Sequence, residues 1–282
     1  MTRITWIASY PKSGNTWTRA FLTHYFQPEP TTADLPLLHR LIAPQRASSR
    51  ACFDDMTGVS SSELGFEGIE RYRRKLHDML AANAESPGPN LLKTHDTFLN
   101  ETNAPRFFAG SSEGAIVIVR NPLDIAVSFA NHTGKTIDAI IDLMGRAETQ
   151  IDRIEESGGP YLPQSIGSWS TNVRGWIDQR TLPIALVRYE DMLANPLGEF
   201  SRMLTFLGVD VRNEKLSAAQ NATQFMALKR EEAEGGFLPM PEGRSFFRTG
   251  GSEDWRQALS NGQVLRLRQD HSEMMERLGY LS

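Results

Sequence analysis

The run Ile4-Thr5-Trp6-Ile7-Ala8-Ser9 is short and almost wholly apolar, and Tyr10-Pro11-Lys12-Ser13-Gly14-Asn15-Thr16-Trp17 follows it directly. Such a run reads as a strand buried on both faces. Pro, Ser and Gly then make a turn, and a helix opens at Thr16. A turn of this kind gathers backbone N–H groups at the positive end of a helix dipole, where an anion is stabilised. Lys12 adds a full charge, Ser13, Asn15 and Thr16 add side-chain donors, and Trp17 offers a flat face for a base. A plain strand–helix turn with a surface lysine needs none of these in this order, so the segment reads as a phosphate site.

The nucleotide it suits is not a typical Mg²⁺–NTP. In G-x-x-x-x-G-K-[ST] the lysine follows the second glycine; here Lys12 precedes Gly14, and no glycine holds the early position. A Mg²⁺-dependent NTPase also places an acidic residue near the end of a second strand. The best matching strand, Ala115–Val119, ends in Arg120 instead. A guanidinium there repels a metal and can grip a second phosphate through a bidentate fork. Asn121-Pro122 caps the helix that follows, and Ser128 lies two turns into it, within reach of the same group. These cations imply phosphates neutralised by protein alone, with no metal.

Short apolar runs alternate with helical periodicity along the rest of the chain, which predicts an α/β fold with a parallel sheet flanked by helices. Candidate strands are Ile4–Ser9, Asn90–Thr94, Ala115–Val119 and Pro183–Arg188, three of them nearly continuous apolar runs. Candidate helices are Thr16–Tyr25, Gly68–Ala84, Asn121 to His132, a segment opened by Asn195-Pro196 and closed by Gly208, and Asn261–Leu278. Gln27–Ser62 reads as loops around a pocket, and Glu231–Gly251 as one mobile segment. The 282 residues are expected to form one domain, 1–282.

The net charge of −4 argues against a general nucleic-acid or membrane-surface binder. An anionic ligand must then be held by a few placed cations. A single cysteine, Cys52, excludes an intrachain disulfide and a cysteine-based zinc cluster. Met1 to Tyr10 is too short an apolar stretch for a secretory signal, and no later stretch reaches membrane-span length. The expected location is the cytoplasm.

Taken together, these motifs resemble the PAPS-dependent sulfotransferase family, particularly its cytosolic branch. Tyr10 to Trp17 is similar to the family's loop for the 5′-phosphosulfate of 3′-phosphoadenosine 5′-phosphosulfate (PAPS), and Arg120 to Ser128 to its 3′-phosphate motif. Phe246-Phe247-Arg248-Thr249-Gly250-Gly251-Ser252-Glu253-Asp254-Trp255-Arg256 resembles the segment that closes over the 3′-phosphate. Tyr189-Glu190-Asp191-Met192 matches another family segment, and Thr223-Gln224-Phe225 one near adenine. The matches run in family order over nearly the whole chain. Two positions depart: Thr249 stands where a lysine is usual, and Glu253 where a glycine is usual. No copy of the family's short C-terminal dimerisation motif is found, so the oligomeric state stays open.

The resemblance implies a P-loop-NTPase-like sulfotransferase fold and a set of roles. Lys12, Ser13, Gly14, Asn15 and Thr16 would hold the 5′ side. Arg120, Ser128 and Arg248 would hold the 3′-phosphate with Phe247, Thr249 and Gly250. Trp17, Thr223 and Phe225 would hold adenine, and Tyr189 belongs to the same cofactor set. Leu91-Leu92-Lys93-Thr94-His95 resembles the catalytic segment, which implies His95 as general base and Lys93 as an active-site cation. Neutral imidazole suits that task near pH 7, and a strand end is where α/β sites gather. Asp96 is a weak candidate to orient His95, because strand neighbours face opposite ways. His24, His39, His77, His132 and His271 read as structural, with His77 and His271 solvated and His132, which follows the Asn121-Pro122 helix, the reserve candidate for the base.

The expected partner is a small-molecule hydroxyl acceptor. Phe26, Leu37, Leu38, Phe53, Phe98 and Phe237 are candidate pocket residues or ordinary packing, while Trp169, Val173, Trp176 and Ile177 follow a helical core spacing. Two other readings stand beside the transferase: a metal-dependent P-loop kinase or NTPase, and a nucleotide-binding protein without catalysis.

Overall fold

β1 (Ile4–Ser9) is buried at every residue, as its unbroken apolar run predicts. It pairs in parallel with β2 (Asn90–Thr94) and with β3 (Ser112–Val119). β4 (Gln150–Ile151) and β5 (Gln164–Ser165) form a separate antiparallel pair. β6 (Ile184–Arg188) completes the main sheet, whose order is β2-β1-β3-β6. The computed structural model describes residues 3–26, 46–84, 88–152, 159–234 and 245–281.

All four sequence-predicted strands are present, β3 starting three residues earlier than expected and β6 one residue later. Within the main sheet, β1 is buried throughout and β3 from Gly114 onward. β2 and β6, at the ends of the order, mix buried and half-buried residues, in strict alternation along β6 and from Leu91 onward along β2. An outer strand meets the core with one face only, so an apolar sequence there does not guarantee burial on both.

Two compact units share the chain. The first takes Met1–Tyr10, Ala43–Ile118 and Arg146–Leu186; the second takes Pro11–Ile42, Val119–Gly145 and Val187–Ser282. The chain passes from the first unit to the second three times, at or near the C-terminal ends of β1, β3 and β6.

The first unit packs around Trp6. Its indole donates to the Ser112 hydroxyl at 2.9 Å, and its ring lies against Phe107 at 4.9 Å and His77 at 4.6 Å. The Phe66–Ala82 helix contributes Ile69, Leu76 and Leu80, and the Trp169–Asp178 helix contributes Trp169, Val173 and Trp176, as their spacing predicts. His77 is therefore not solvated. It is fully buried, stacked on Phe107, and desolvation lowers its pKa to about 3. Its polar sequence neighbours Arg74, Lys75 and Asp78 lie on the exposed side of the helix, so a polar sequence context does not mean an exposed ring. Phe53 and Phe98 are core residues here. Within Gln27–Ser62, 27–45 lies outside the described residues, including Leu37, Leu38 and His39. The remainder is no plain loop, because Arg50–Thr57 is a helix capped by Ser49 and ended by left-handed Gly58.

The second unit is mostly helical. The Asn15–Phe26 and Pro196–Phe206 helices meet through Phe21 and Phe200, whose rings stack at 3.8 Å. Asn121 and Asn195 each accept a backbone N–H with the side chain and begin a helix with proline in its first turn. The predicted Asn261–Leu278 helix is two helices, Asn261–Asp270 and Ser272–Arg277. The backbone leaves the helical region at His271 (φ −125°), whose buried ring has its pKa lowered to about 4, mainly by desolvation. His271 is thus a core residue as well. Of Glu231–Gly251, 235–244 lies outside the described residues, including Phe237. Its two ends are ordered: the Phe225–Ala233 helix runs through the first, and Glu232 binds the second. No described helix is long and apolar enough to cross a membrane.

Candidate active-site residues

The second unit carries the Lys12 turn, expected from the sequence to be a phosphate site. Lys12 and Gly14 both have positive φ, +66° and +106°, so the chain doubles back tightly before the Asn15–Phe26 helix. Glycine is required at 14 on a second count, since a Cβ there would lie 2.6 Å from the Tyr189 ring. The Lys12 ammonium sits 3.7 Å from the centroid of Phe246. Ser13 is fully buried and its hydroxyl makes no hydrogen bond among the described residues. The Trp17 indole N–H is also buried without an acceptor, its ring set edge-on to Tyr189 and Phe200.

Arg120 joins this turn to two other segments. One guanidinium nitrogen donates to the Lys12 carbonyl at 3.1 Å and another to the Gly251 carbonyl at 3.0 Å. The third, Nε, is buried and makes no hydrogen bond among the described residues. The guanidinium lies 4.3 Å above the Tyr189 ring, and the Tyr189 hydroxyl donates to the Gly250 carbonyl at 3.3 Å. Burial raises the pKa of Tyr189, which therefore stays a neutral donor. Gly250 has φ +67°, and a Cβ there would strike Phe225. Lys12, Ser13, Gly14, Trp17, Arg120, Tyr189, Phe225 and Gly250 thus form one connected constellation. Ser128 is half-buried on the helix that starts after Arg120.

Other expected donor residues are already occupied. Phe247 is buried with Ala20 and Leu228, and Trp17, Phe225 and Phe246 pack around them. The Thr223 hydroxyl is buried and donates to Ala219 at the end of its helix. Arg248 pairs with Asp254 at 2.6 Å, and the Thr249 hydroxyl bonds the same carboxylate.

Three carboxylates pin the loops of this constellation by accepting backbone N–H groups. Glu190 accepts from Asn121 at 2.9 Å and also from the Tyr280 hydroxyl. Asp124 accepts from Glu253 at 2.9 Å and Trp255 at 3.3 Å. Glu232 accepts from Phe246 at 2.5 Å, Phe247 at 3.1 Å and the Ser245 hydroxyl at 2.7 Å. Glu190 and Asp124 lay inside recognised motifs, but no sequence signal gave them a partner. Glu232 stood in a segment read as mobile.

The first unit carries the candidate base. His95 is the residue after β2, with its side chain nine-tenths buried. Its Nδ1 lies 2.7 Å from the Ser9 carbonyl, an oxygen that only accepts. Nδ1 therefore bears the proton, and the basic lone pair is on Nε2. Asp96 points elsewhere: its carboxylate meets Arg73 at 3.3 Å and the Ser165 N–H at 2.7 Å. Arg73 and Arg106 both bind Glu70, at 2.5 and 2.9 Å, which closes a buried ionic cluster behind the strand. Burial raises the pKa of Asp96 although both guanidiniums oppose it, and the same guanidiniums hold Glu70 below the usual range against its own burial. Lys93 is half-buried and interacts electrostatically with Asp152.

Residues 3–279, which hold all of these groups, match the family profile described as the sulfotransferase domain. The chain belongs to the sulfotransferase family. Curated relatives include Sulfotransferase 1A1 of dog, 25% identical over 281 residues that cover 97% of this chain and 83% of the relative. The rat Sulfotransferase 1A1 is 26% identical, covering 95% and 83%. In fold the chain is similar to a mouse sulfotransferase solved with PAP, with a TM-score of 0.58, 19% identity and coverage of 97% and 84%. It is also similar to retinol dehydratase in complex with androsterone and inactive cofactor PAP, with a TM-score of 0.61, 17% identity and coverage of 98% and 82%. The P-loop-like sulfotransferase fold expected from the motifs is the fold observed.

Proposed function

We propose that this sulfotransferase uses PAPS as donor and the hydroxyl of a small molecule as acceptor, with His95 as general base. One observation carries the donor assignment. Ser13 Oγ, Trp17 Nε1 and Arg120 Nε are buried donors without acceptors among the described residues, in one constellation with the Lys12 ammonium. A buried donor left unmet is costly, so such a group fits a ligand rich in anionic oxygen. The similar structures are complexes with PAP, which supports the same nucleotide.

When bound, the donor supplies an activated sulfuryl group. Lys12 and the backbone amides of the turn neutralise charge on the departing phosphate oxygen. Arg120 and Ser128 bind the 3′-phosphate. Arg248 must first give up Asp254 to join them. Trp17, Thr223 and Phe225 form the adenine side. Nε2 of His95 takes the acceptor's hydroxyl proton as the new S–O bond forms and the bond from sulfur to phosphate oxygen breaks. Lys93 serves as a nearby cation. On this reading both units serve a single catalytic domain, and no metal takes part.

Thermal unfolding with adenosine 3′,5′-bisphosphate (PAP), in parallel with Mg²⁺–ATP, tests the donor assignment. Ligand at a hundredfold over its Kd adds ~2.7 kcal/mol, a shift of several degrees. The expected outcome is a shift with the bisphosphate, unchanged by EDTA. A shift with Mg²⁺–ATP alone would overturn PAPS as the donor and favour metal-dependent use of a nucleoside triphosphate.

A further inference from the structure

We propose that Gln164 and Asn172 are positioning residues that aim the His95 imidazole; this rests on His95 being the base. His95 stands just past the last paired residue of β2, where Ala8 meets Thr94, so the β1–β2 ladder does not fix its peptide groups. Two buried amides do so instead. The His95 N–H donates to Gln164 Oε1 at 3.1 Å, and the His95 carbonyl accepts from Asn172 Nδ2 at 2.9 Å. Gln164 and Asn172 are 2% and 1% exposed.

Each amide has one possible orientation. Gln164 Nε2 donates to Asp152 Oδ2 at 3.2 Å, so a flipped amide would face donor to donor at His95 and oxygen to carboxylate at Asp152. Asn172 Nδ2 also donates to the Ile166 carbonyl at 2.9 Å, where an oxygen would be repelled. With the Ser9 carbonyl on Nδ1, the residue is held at its N–H, its C=O and its ring. The direction of Nε2 follows from these three anchors, and a misplacement of about 1 Å at a reacting group costs roughly a hundredfold in rate.

The sequence of variants Gln164→Leu, Asn172→Leu and the double exchange Gln164→Glu with Asp152→Asn tests this. The double exchange reverses the polarity of the Gln164–Asp152 bond while keeping an acceptor for the His95 N–H. Long-range ¹H–¹⁵N spectra of the imidazoles report the His95 tautomer and titration directly, with His95→Ala for assignment. Wild type should show Nδ1 protonated. Either leucine variant should lose that single tautomer and shift the titration, with PAPS turnover down by about 10–100-fold and PAP affinity within about twofold. The double exchange should recover the signature better than Gln164→Leu. Unchanged His95 signals in folded Gln164→Leu overturn the proposal, as does a double exchange no better than that variant. Displaced signals with full turnover would leave the positioning standing and remove His95 as base instead.

Discussion

The Arg120 guanidinium lies 4.3 Å above the Tyr189 ring, and the two side chains donate to adjacent carbonyls, those of Gly251 and Gly250. The strand-end arginine and the C-terminal segment are thereby assembled on one aromatic face. Arginine suits this position because its plane stacks while its edge still donates. Arg120→Ala should weaken PAP binding by about 2–4 kcal/mol, roughly 30- to 1000-fold, measured by calorimetry. Arg120→Lys should recover little of this, since an ammonium neither forks nor stacks; wild-type affinity in it would contradict the assignment.

Glu253 occupies φ +69°, a conformation that suits glycine, and it is the position where the family usually carries glycine. Glu253→Gly keeps the backbone N–H that Asp124 accepts and loses the exposed pair with Arg256. Exposed pairs contribute little. The variant should unfold at a temperature about 2–4 °C higher. A fall in midpoint would show the pair with Arg256 outweighing the backbone strain.

Glu232 fixes the backbone of Phe246 and Phe247, and Phe246 in turn covers the Lys12 ammonium. Glu232→Ala should expose those two amides to hydrogen exchange in the ligand-free protein and weaken PAP binding by about tenfold. Wild-type protection of both amides would remove Glu232 from the donor site.

Acid should destabilise the first unit through His77. Its pKa is lowered to about 3 in the folded state against about 6.5 unfolded, so the unfolded chain binds more protons between these values. The stability His77 contributes is present above pH 6.5 and is lost as pH falls toward 3, by ~2–3 kcal/mol at pH 4.5. His77→Phe keeps the stack on Phe107 and should flatten the decline of the unfolding midpoint between pH 6.5 and 4.5. An unchanged slope would mean that carboxylates alone set the acid limit.

Much of this was legible from residues alone. Strand ends, proline caps and the Lys12 turn are written locally, within a few residues of one another, so Ile4–Ser9, Asn121-Pro122 and Asn195-Pro196 were read closely. Long-range partners were not. Nothing near Glu232, Glu190, Gln164 or Asn172 in the chain says which backbone group each will meet, because those groups lie 14 to 77 residues away. Burial failed for a similar reason at His77 and His271, where polar neighbours in sequence face away from the ring. Thr223 and Arg248 were read as ligand contacts, yet each has a protein partner that the motif does not reveal.

The central claim is sulfuryl transfer from PAPS with His95 as the base. It is tested most directly by following radiolabelled sulfur from PAPS into a panel of hydroxyl acceptors in EDTA, with wild type and His95→Ala side by side. Acceptor-dependent transfer that falls by ~10²–10⁴ in His95→Ala, with PAP affinity unchanged, is the predicted result. Near-normal transfer in His95→Ala, or transfer that requires a divalent metal, would contradict it.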